Sequence, residues 1–419
     1  MNAHIINIGD ELLIGQVVNT NASWMAEELN KINVRVTRVS VIGDIGADIS
    51  SELQRSMNEA DVVLMTGGLG PTKDDITKQV LARHFGVGLV THQETLDRVV
   101  GYFRKRGIAM PEVNRGQALV LDGCEVVVNE VGTAPCMVMR GEGCVVVSMP
   151  GVPFEMKWLM SNRILPMITR MGNGGEIIHK TVGVFGIPES TLAERIAEWE
   201  EALPGNIRLA YLPQAGIVRL RLSAFGGKGG IAADGGGQLQ CVVDERVERL
   251  KELIGDNIFT EVGESLSEAV GRLLSARGEC VATAESCTAG LVAHRIVETA
   301  GASGWMRGGV VAYADDVKRD VLGVPAEMIE RAGAVSEEVA LSMAEGVLRV
   351  TGSDWGVSTT GISGPGGGSG EKPVGLVYIA VVGRNGKRHV GRYVFATTRE
   401  QHQERTANQA LFNLYGLMR

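Results

Sequence analysis

The chain has 419 residues, of which 44% are hydrophobic and 21% charged; this is globular composition on a length that exceeds one ordinary core and points to two or three domains. A formal net charge of −8 argues against direct nucleic-acid binding through a broad basic footprint, and no apolar run reaches the roughly 18 residues of a membrane helix. The six cysteines form no Cys-x-x-Cys pair, the seven histidines are scattered, and the N-terminus lacks a secretory pattern; neither disulfide framework nor zinc finger is indicated, and the expected compartment is the cytoplasm.

From residue 3 to about 85, β-rich runs alternate with helical patterns: His4–Ile8, a helix over 21–29, Val34–Val41, a helix over 49–57, Asp61–Thr66 and a helix from Thr72. This βαβαβα order predicts a doubly wound, mostly parallel sheet that binds ligands beyond the carboxyl ends of its strands. Three polar loops fall at those ends, carrying Gly9-Asp10-Glu11, Gly43-Asp44 and Gly67-Gly68-Leu69-Gly70-Pro71-Thr72. The domain is taken as 1–172, continuing through strands near 125–129 and 144–148 and the helix after Pro150-Gly151-Val152-Pro153, with a linker at 172–175.

A small α+β module is expected over 176–256: a strand at 180–185, a helix at 189–202, strands at 208–212 and 217–225, and a helix at 239–254. Its Gly226-Gly227-Lys228-Gly229-Gly230 lacks the Gly-Lys-Ser/Thr of a phosphate loop and reads as a surface loop. A second α/β domain, 260–419, opens on a capping box, Ser265-x-x-Glu268. Next come a strand at 280–284, the turn Glu285-Ser286-Cys287-Thr288-Ala289-Gly290, and a helix bearing Val292 and Ile296.

Small residues at a strand-to-helix turn expose a hydroxyl beside free helix amides, so Ser286 is a candidate nucleophile; by spacing alone the commoner reading of Ser286 or Thr288 is a helix N-cap, and Cys287 is a rival nucleophile or, more commonly, a small buried apolar residue. Tyr313 and Lys318, after the strand-like 309–312, are candidate activators, or else an ordinary aromatic and a solvated charge. Thr359-Thr360-Gly361-Ile362-Ser363-Gly364-Pro365 offers backbone to a phosphate. In the first domain the Gly67–Thr72 amides suit a phosphate, while Thr72-x-x-Asp75 resembles a capping box. The adjacent Asp74 and Asp75, together with Asp10, Asp44 and Glu155, form a carboxylate set suited to a hard divalent cation on a pyrophosphate.

Taken in order, Gly9-Asp10-Glu11-Leu12-Leu13, Asn19-Thr20-Asn21, Gly67 to Thr77, Gly132-Thr133-Ala134-Pro135 and Pro150-Gly151-Val152-Pro153-x-Glu155 resemble the molybdopterin-binding-like domain of the CinA family of competence/damage-inducible proteins. Ala284-Glu285-Ser286-Cys287-Thr288-x-Gly290, Gly333-Ala334-Val335-Ser336, Gly361-Ile362-x-Gly364-Pro365 and Lys372-Pro373-Val374-Gly375 resemble its C-terminal nicotinamide-nucleotide amidase. The resemblance implies a MogA/MoaB-like first domain, a KH-like middle module and an α/β amidase domain. It implies two activities: hydrolysis of nicotinamide mononucleotide to nicotinate mononucleotide and ammonia, and of ADP-ribose to AMP and ribose 5-phosphate. Ser286 becomes the nucleophile and Tyr313 and Lys318 its activators, with Glu285, Thr288, Ala289, Gly290, Thr360, Gly361, Gly364 and Arg399 around the mononucleotide. Gly9, Asn21, Gly67, Gly68, Gly70, Thr72 and Asp75 would hold ADP-ribose; Asp10, Asp44, Asp74 and Glu155 would hold cobalt, magnesium or manganese, and the amidase needs no cofactor. A homodimer is expected.

Four positions depart from the family pattern: Ala289 and Cys136 stand where glycine is usual, Asp315 where Asn is usual, and Gln403 where a second Arg is usual. Two other functional classes stay open, a molybdopterin-binding protein and a competence or DNA-repair adaptor with vestigial sites.

Overall fold

The computed structural model describes residues 1–72, 75–141, 143–172, 176–226 and 237–419. Contacts divide the chain into two bodies: the first is Met1–Ile177 with the segment from Phe225, the second Ile178–Ala224 with Gly237–Arg419.

In the first body the elements run β1 (Asn2–Ile8), α1 (Asp10–Leu13), α2 (Thr20–Lys31), β2 (Arg35–Ile42), α3 (Gly46–Glu59), β3 (Val62–Thr66), α4 (Thr77–Phe85), β4 (Leu89–Thr91), α5 (Gln93–Lys105), β5 (Leu119–Leu121), β6 (Glu125–Val127), β7 (Cys136–Arg140), β8 (Val145–Met149), α6 (Pro153–Leu159) and α7 (Leu165–Arg170). The main sheet has the order β2-β1-β3-β8-β7-β6, parallel across the first four strands and antiparallel across the last two pairings. β3 and β8 read VVLMT and VVVSM and are buried throughout, as strands with helices on both faces must be. Met25, Leu29, Met156 and Leu159 of α2 and α6 close one face; Ile49, Leu53, Val80 and Leu81 of α3 and α4 close the other. The doubly wound expectation holds for this domain.

One helix start differs from the sequence reading. α4 begins at Thr77, and the Asp75 carboxylate ahead of it accepts hydrogen bonds from Gly70 N (2.8 Å), Thr72 N (2.9 Å) and Thr72 Oγ1.

The second body continues with β9 (Ile177–Phe185), α8 (Glu189–Glu201), β10 (Ile207–Gln214), β11 (Ile217–Phe225), α9 (Gln238–Ile254) and β12 (Ile258–Thr260). Their sheet is ordered β10-β11-β9-β12, and Leu192 and Ile196 of α8 with Val243, Val247 and Leu250 of α9 pack into its core. β12 lies past residue 256, where the sequence reading ended this module, and pairs antiparallel with β9. Asn173 to Gly175 of the expected linker and Gly227 to Gly230 of the glycine-rich segment lie outside the described residues.

Next come α10 (Leu266–Arg277), β13 (Val281–Glu285), α11 (Leu291–Val297), β14 (Met306–Val311), α12 (Asp315–Asp320), α13 (Ala326–Ala332), α14 (Glu337–Thr351), β15 (Trp355–Gly361), β16 (Leu376–Gly383), β17 (Arg388–Val394) and α15 (Arg399–Met418). The Ser265–Glu268 capping box forms as expected. The sheet order is β14-β13-β15-β16-β17, with the first three strands parallel and the others antiparallel. α10 and α15 pack on one face through Val270, Leu274, Leu411 and Leu414, and α14 on the other through Val339, Met343 and Val347. Phe185 of β9 stacks on Phe412 of α15 at 4.2 Å, so the middle module shares a core with the C-terminal domain. No helix among the described residues is long and apolar enough to cross a membrane.

Phe185 is 3% exposed and belongs to that shared core, so Phe185→Ala is expected to cost about 3–5 kcal/mol and to lower the unfolding midpoint of the middle module and the C-terminal domain together. Denaturant unfolding followed by hydrogen exchange in both sheets checks this.

Candidate active sites

Each main sheet reverses its winding beside its central strand. In the first body β1 lies between β2 and β3, and in the second β13 lies between β14 and β15, all parallel. The crossover leaving each central strand covers one face of the sheet and the crossover passing back over it covers the other, which opens a crevice at the strands' carboxyl ends.

At the first crevice lies a cavity of about 530 Å³ lined by Gly9, Asn21, Asp44, Gly67, Gly68, Gly70, Asp75 and Glu155, among others. Gly67 and Gly68 have φ of +116° and +62°, and a side chain on either would strike Ile8 O or Thr77 Oγ1; only glycine admits this approach of loop to strand and helix. Thr72 does not line the cavity, and the Gly70 and Thr72 amides expected to face a phosphate are taken by Asp75. Asn21 donates through Nδ2 to Gly151 O at 2.8 Å, joining the start of α2 to the Pro150–Pro153 loop.

The expected metal carboxylates divide. Asp10 and Asp44 cross-link two loops: Asp10 N donates to Asp44 Oδ2 (3.3 Å) and Asp44 N to Asp10 Oδ1 (3.4 Å). Glu155 stands apart, its Oε2 accepting from Asn129 Nδ2 at 2.5 Å, and burial raises its pKa toward the neutral form. Asp74 lies outside the described residues, and among those described no three Asp, Glu, His or Cys side chains cluster as a cation site. Two carboxylates plus ligand phosphates suffice for a cation such as magnesium, so the Asp10–Asp44 pair fits that role and Glu155 does not. Cys136, at the departure from the glycine pattern, is fully buried at the start of β7.

At the second crevice Ser286 follows directly on β13, its amide donating to Thr359 O at 2.9 Å; among the described residues its Oγ has no hydrogen-bond partner. The turn is built on Glu285, which is 1% exposed. Its carboxylate accepts from Thr288 Oγ1 (2.7 Å), Gly290 N (2.9 Å), Val292 N (3.0 Å) and Ala293 N (2.8 Å), so it caps α11 and opposes the positive end of the helix. Thr288 Oγ1 also meets Thr359 Oγ1 at 2.6 Å. Glu285 and Thr288, expected as ligand contacts, are thus committed to the turn. So is the Ala289 amide, which donates to Ser286 O at 3.2 Å; the Thr288 amide has no acceptor among the described residues. The rival nucleophile is disfavoured, since Cys287 is 4% exposed and burial pushes its thiol up to about 12.

Tyr313 and Lys318 leave the neighbouring strand β14, and Ala312 N donating to Glu285 O (2.8 Å) sets their loop beside the Ser286 turn. Lys318 is 1% exposed and not a solvated charge; its Nζ donates to Tyr313 O (3.2 Å) and Asp315 Oδ1 (3.0 Å). The Asp315 departure therefore gives Lys318 an ion-pair partner. The Tyr313 hydroxyl is bonded instead to Arg399 Nη2 (3.3 Å), and Arg399 Nη1 donates to Gly364 O (2.9 Å). Thr360 Oγ1 is taken by Ala334 O (2.7 Å), tying the Gly333–Ser336 loop to the end of β15, where Gly361 packs against Leu376 O and Val377. Hydrogen bonds thus join Tyr313, Arg399 and the Gly361–Gly364 loop, while the Ala312–Glu285 bond holds the Ser286 turn beside the start of the Tyr313 loop. Sequence reasoning missed His402 and named Gln403 only as a departure from the family pattern; both lie on α15 and contact this region, and their i,i+3 and i,i+4 spacing from Arg399 was the available signal.

Three family models match in succession: a probable molybdopterin binding domain over residues 4–170, the damage-inducible protein CinA KH domain over 179–260 and the CinA C-terminal domain over 263–418. A CinA-like protein of Cytophaga hutchinsonii is 42% identical over 91% of this chain and 90% of its own length; one of Flavobacterium psychrophilum is 40% identical over 99% and 98%. The chain belongs to the CinA family. Among solved structures, the competence/damage inducible protein CihA of Agrobacterium tumefaciens is 41% identical, covering 37% of this chain and 96% of that one, with a TM-score of 0.36. The family's three-part organisation accounts for the molybdopterin-binding-domain-like, KH and C-terminal parts of the chain.

Two substitutions test the Ser286 turn. Glu285→Ala leaves buried donors unpaired and is expected to cost about 3–5 kcal/mol in denaturant unfolding. Ala289 sits at φ +51°, and Ala289→Gly is expected to raise stability by about 0.5–1 kcal/mol, the left-handed strain of an L-residue less the chain entropy of glycine.

Proposed function

We propose that the C-terminal domain is a serine amidohydrolase acting on nicotinamide mononucleotide. The observation that carries this reading is Ser286 at the switch point of its sheet, its hydroxyl uncommitted and the Arg399 guanidinium on the facing loops. Ser286 Oγ attacks the carboxamide carbon and its proton passes through the Tyr313–Lys318 loop to the departing nitrogen, which leaves as ammonia; water then hydrolyses the acyl ester to nicotinate mononucleotide. The Thr288 amide faces the oxyanion, and Arg399 meets the phosphate.

For the N-terminal cavity we propose ADP-ribose hydrolysis to AMP and ribose 5-phosphate, supported by Asp44, which lines the cavity beside the glycine loop and is cross-linked to Asp10 at the neighbouring strand end. A divalent cation held by that pair and the ligand phosphates would supply charge neutralisation at the phosphoanhydride. The match to a probable molybdopterin binding domain favours a second reading for this cavity, a pterin phosphate ligand, which mass spectrometry of co-purifying small molecules separates from the first.

Ammonia release from nicotinamide mononucleotide is expected from the wild type and from Cys287→Ala, and to fall at least 10³-fold in Ser286→Ala; a wild type without turnover overturns the amidase reading. AMP formation from ADP-ribose is expected to stop with a chelator, to return with magnesium, manganese or cobalt, and to fall about 10²-fold in Asp44→Asn. Chelator-resistant turnover would overturn the metal-dependent reading.

A further inference from the structure

The first turn of α15 touches three separate loops of the C-terminal site. Arg399 Nη1 donates to Gly364 O (2.9 Å) and its Nη2 to the Tyr313 hydroxyl (3.3 Å). His402 is fully buried between two of the loops' groups: Nε2 faces Gly375 O at 3.2 Å and Nδ1 faces Ser363 Oγ at 3.0 Å. Gln403 Nε2 donates to Cys287 O at 2.8 Å, one residue beyond the candidate nucleophile.

The chemistry at His402 fixes its state. A carbonyl oxygen accepts and never donates, so the proton sits on Nε2, Nδ1 is the acceptor, and the Ser363 hydroxyl donates to it. Burial, which holds the imidazole below its ordinary pKa, favours this neutral tautomer. Ser363 is 5% exposed and its hydroxyl is committed to His402. The Gly361–Gly364 loop is therefore pinned twice, at Ser363 by His402 and at Gly364 by Arg399. The nucleophile turn is pinned from inside by Glu285 and from α15 by Gln403.

We propose that His402 and Gln403 are positioning residues of this site: through Ser363, His402 sets the loop that meets the phosphate end of the substrate, and through Cys287 O, Gln403 sets the attack geometry of Ser286. The inference rests on the amidase reading, and the two contacts have separable consequences. Loss of the Ser363 bond loosens substrate binding, whereas loss of the Gln403 bond misplaces the nucleophile, and an error near 1 Å at a reacting group costs up to about 10²-fold in rate.

The test compares wild type, Ser363→Ala and Gln403→Met in ammonia release from nicotinamide mononucleotide and in covalent labelling of Ser286 by a fluorophosphonate, with thermal melts as the control for folding. Ser363→Ala is chosen over a His402 variant because it deletes one bond without leaving two buried groups unpaired. Ser363→Ala is expected to raise KM about tenfold with kcat within about twofold, and Gln403→Met to lower kcat and the labelling rate about tenfold with KM within about twofold. Gln403→Glu, ionised and without the donor, is expected to follow Gln403→Met. Unchanged constants and labelling in an active protein overturn the proposal, as does a loss confined to variants whose melting temperature falls equally. If the wild type labels but releases no ammonia, the substrate reading fails while the labelling rates still decide the role of Gln403; absence of labelling in the wild type overturns both.

Discussion

The buried carboxylate of Glu285 is the constraint on which the C-terminal site depends. A charge 1% exposed survives in a core only when it is fully hydrogen-bonded, and here the donors are a threonine hydroxyl and three amides at the start of α11. That arrangement satisfies the charge and the helix end with the same bonds. It also explains why the turn can be so tight: Ser286, Cys287, Thr288 and Ala289 are wrapped around an acceptor that takes up the Gly290, Val292 and Ala293 amides, and among the described residues the Ser286 hydroxyl has no partner. Ala289 in the left-handed region is the local strain that this wrapping sustains.

The same logic recurs in the first body with different parts. Asp75 closes its own glycine loop by taking the Gly70 and Thr72 amides, and Asn129 holds Glu155 while also donating to Ala134 O. Carboxylates that sequence inspection groups as one metal set therefore do different work: Asp75 shapes a loop, Glu155 is held in a buried polar cluster, and Asp10 and Asp44 remain paired across two strand ends. In both bodies the crevice exists because a central parallel strand has neighbours reached in opposite directions, and the residues just past its carboxyl end are presented there by topology.

The departures from the family pattern acquire physical meaning in this setting. Asp315 supplies the buried Lys318 with an anionic partner, and Gln403 supplies the Ser286 turn with a neutral donor. Neither substitution leaves a gap. Cys136 fills a fully buried position as a small apolar residue at the start of β7.

The sequence by itself determined the layered α/β architecture of both larger domains, the α+β middle module, the capping box at Ser265 and the placing of Ser286 on a strand-to-helix turn. Each is a local property, written in hydrophobic period, turn residues and caps, and so visible without the fold. Tertiary structure alone decided which side chains were free. Whether Glu285 faces a ligand or caps a helix, whether Lys318 is solvated or buried, whether Cys287 ionises, and that His402 and Gln403 reach Ser363 and Cys287 O all depend on contacts between residues far apart in the chain. Spacing along one segment carries no information about such partners, because burial and hydrogen-bond commitment are fixed only when the strands, loops and α15 pack together.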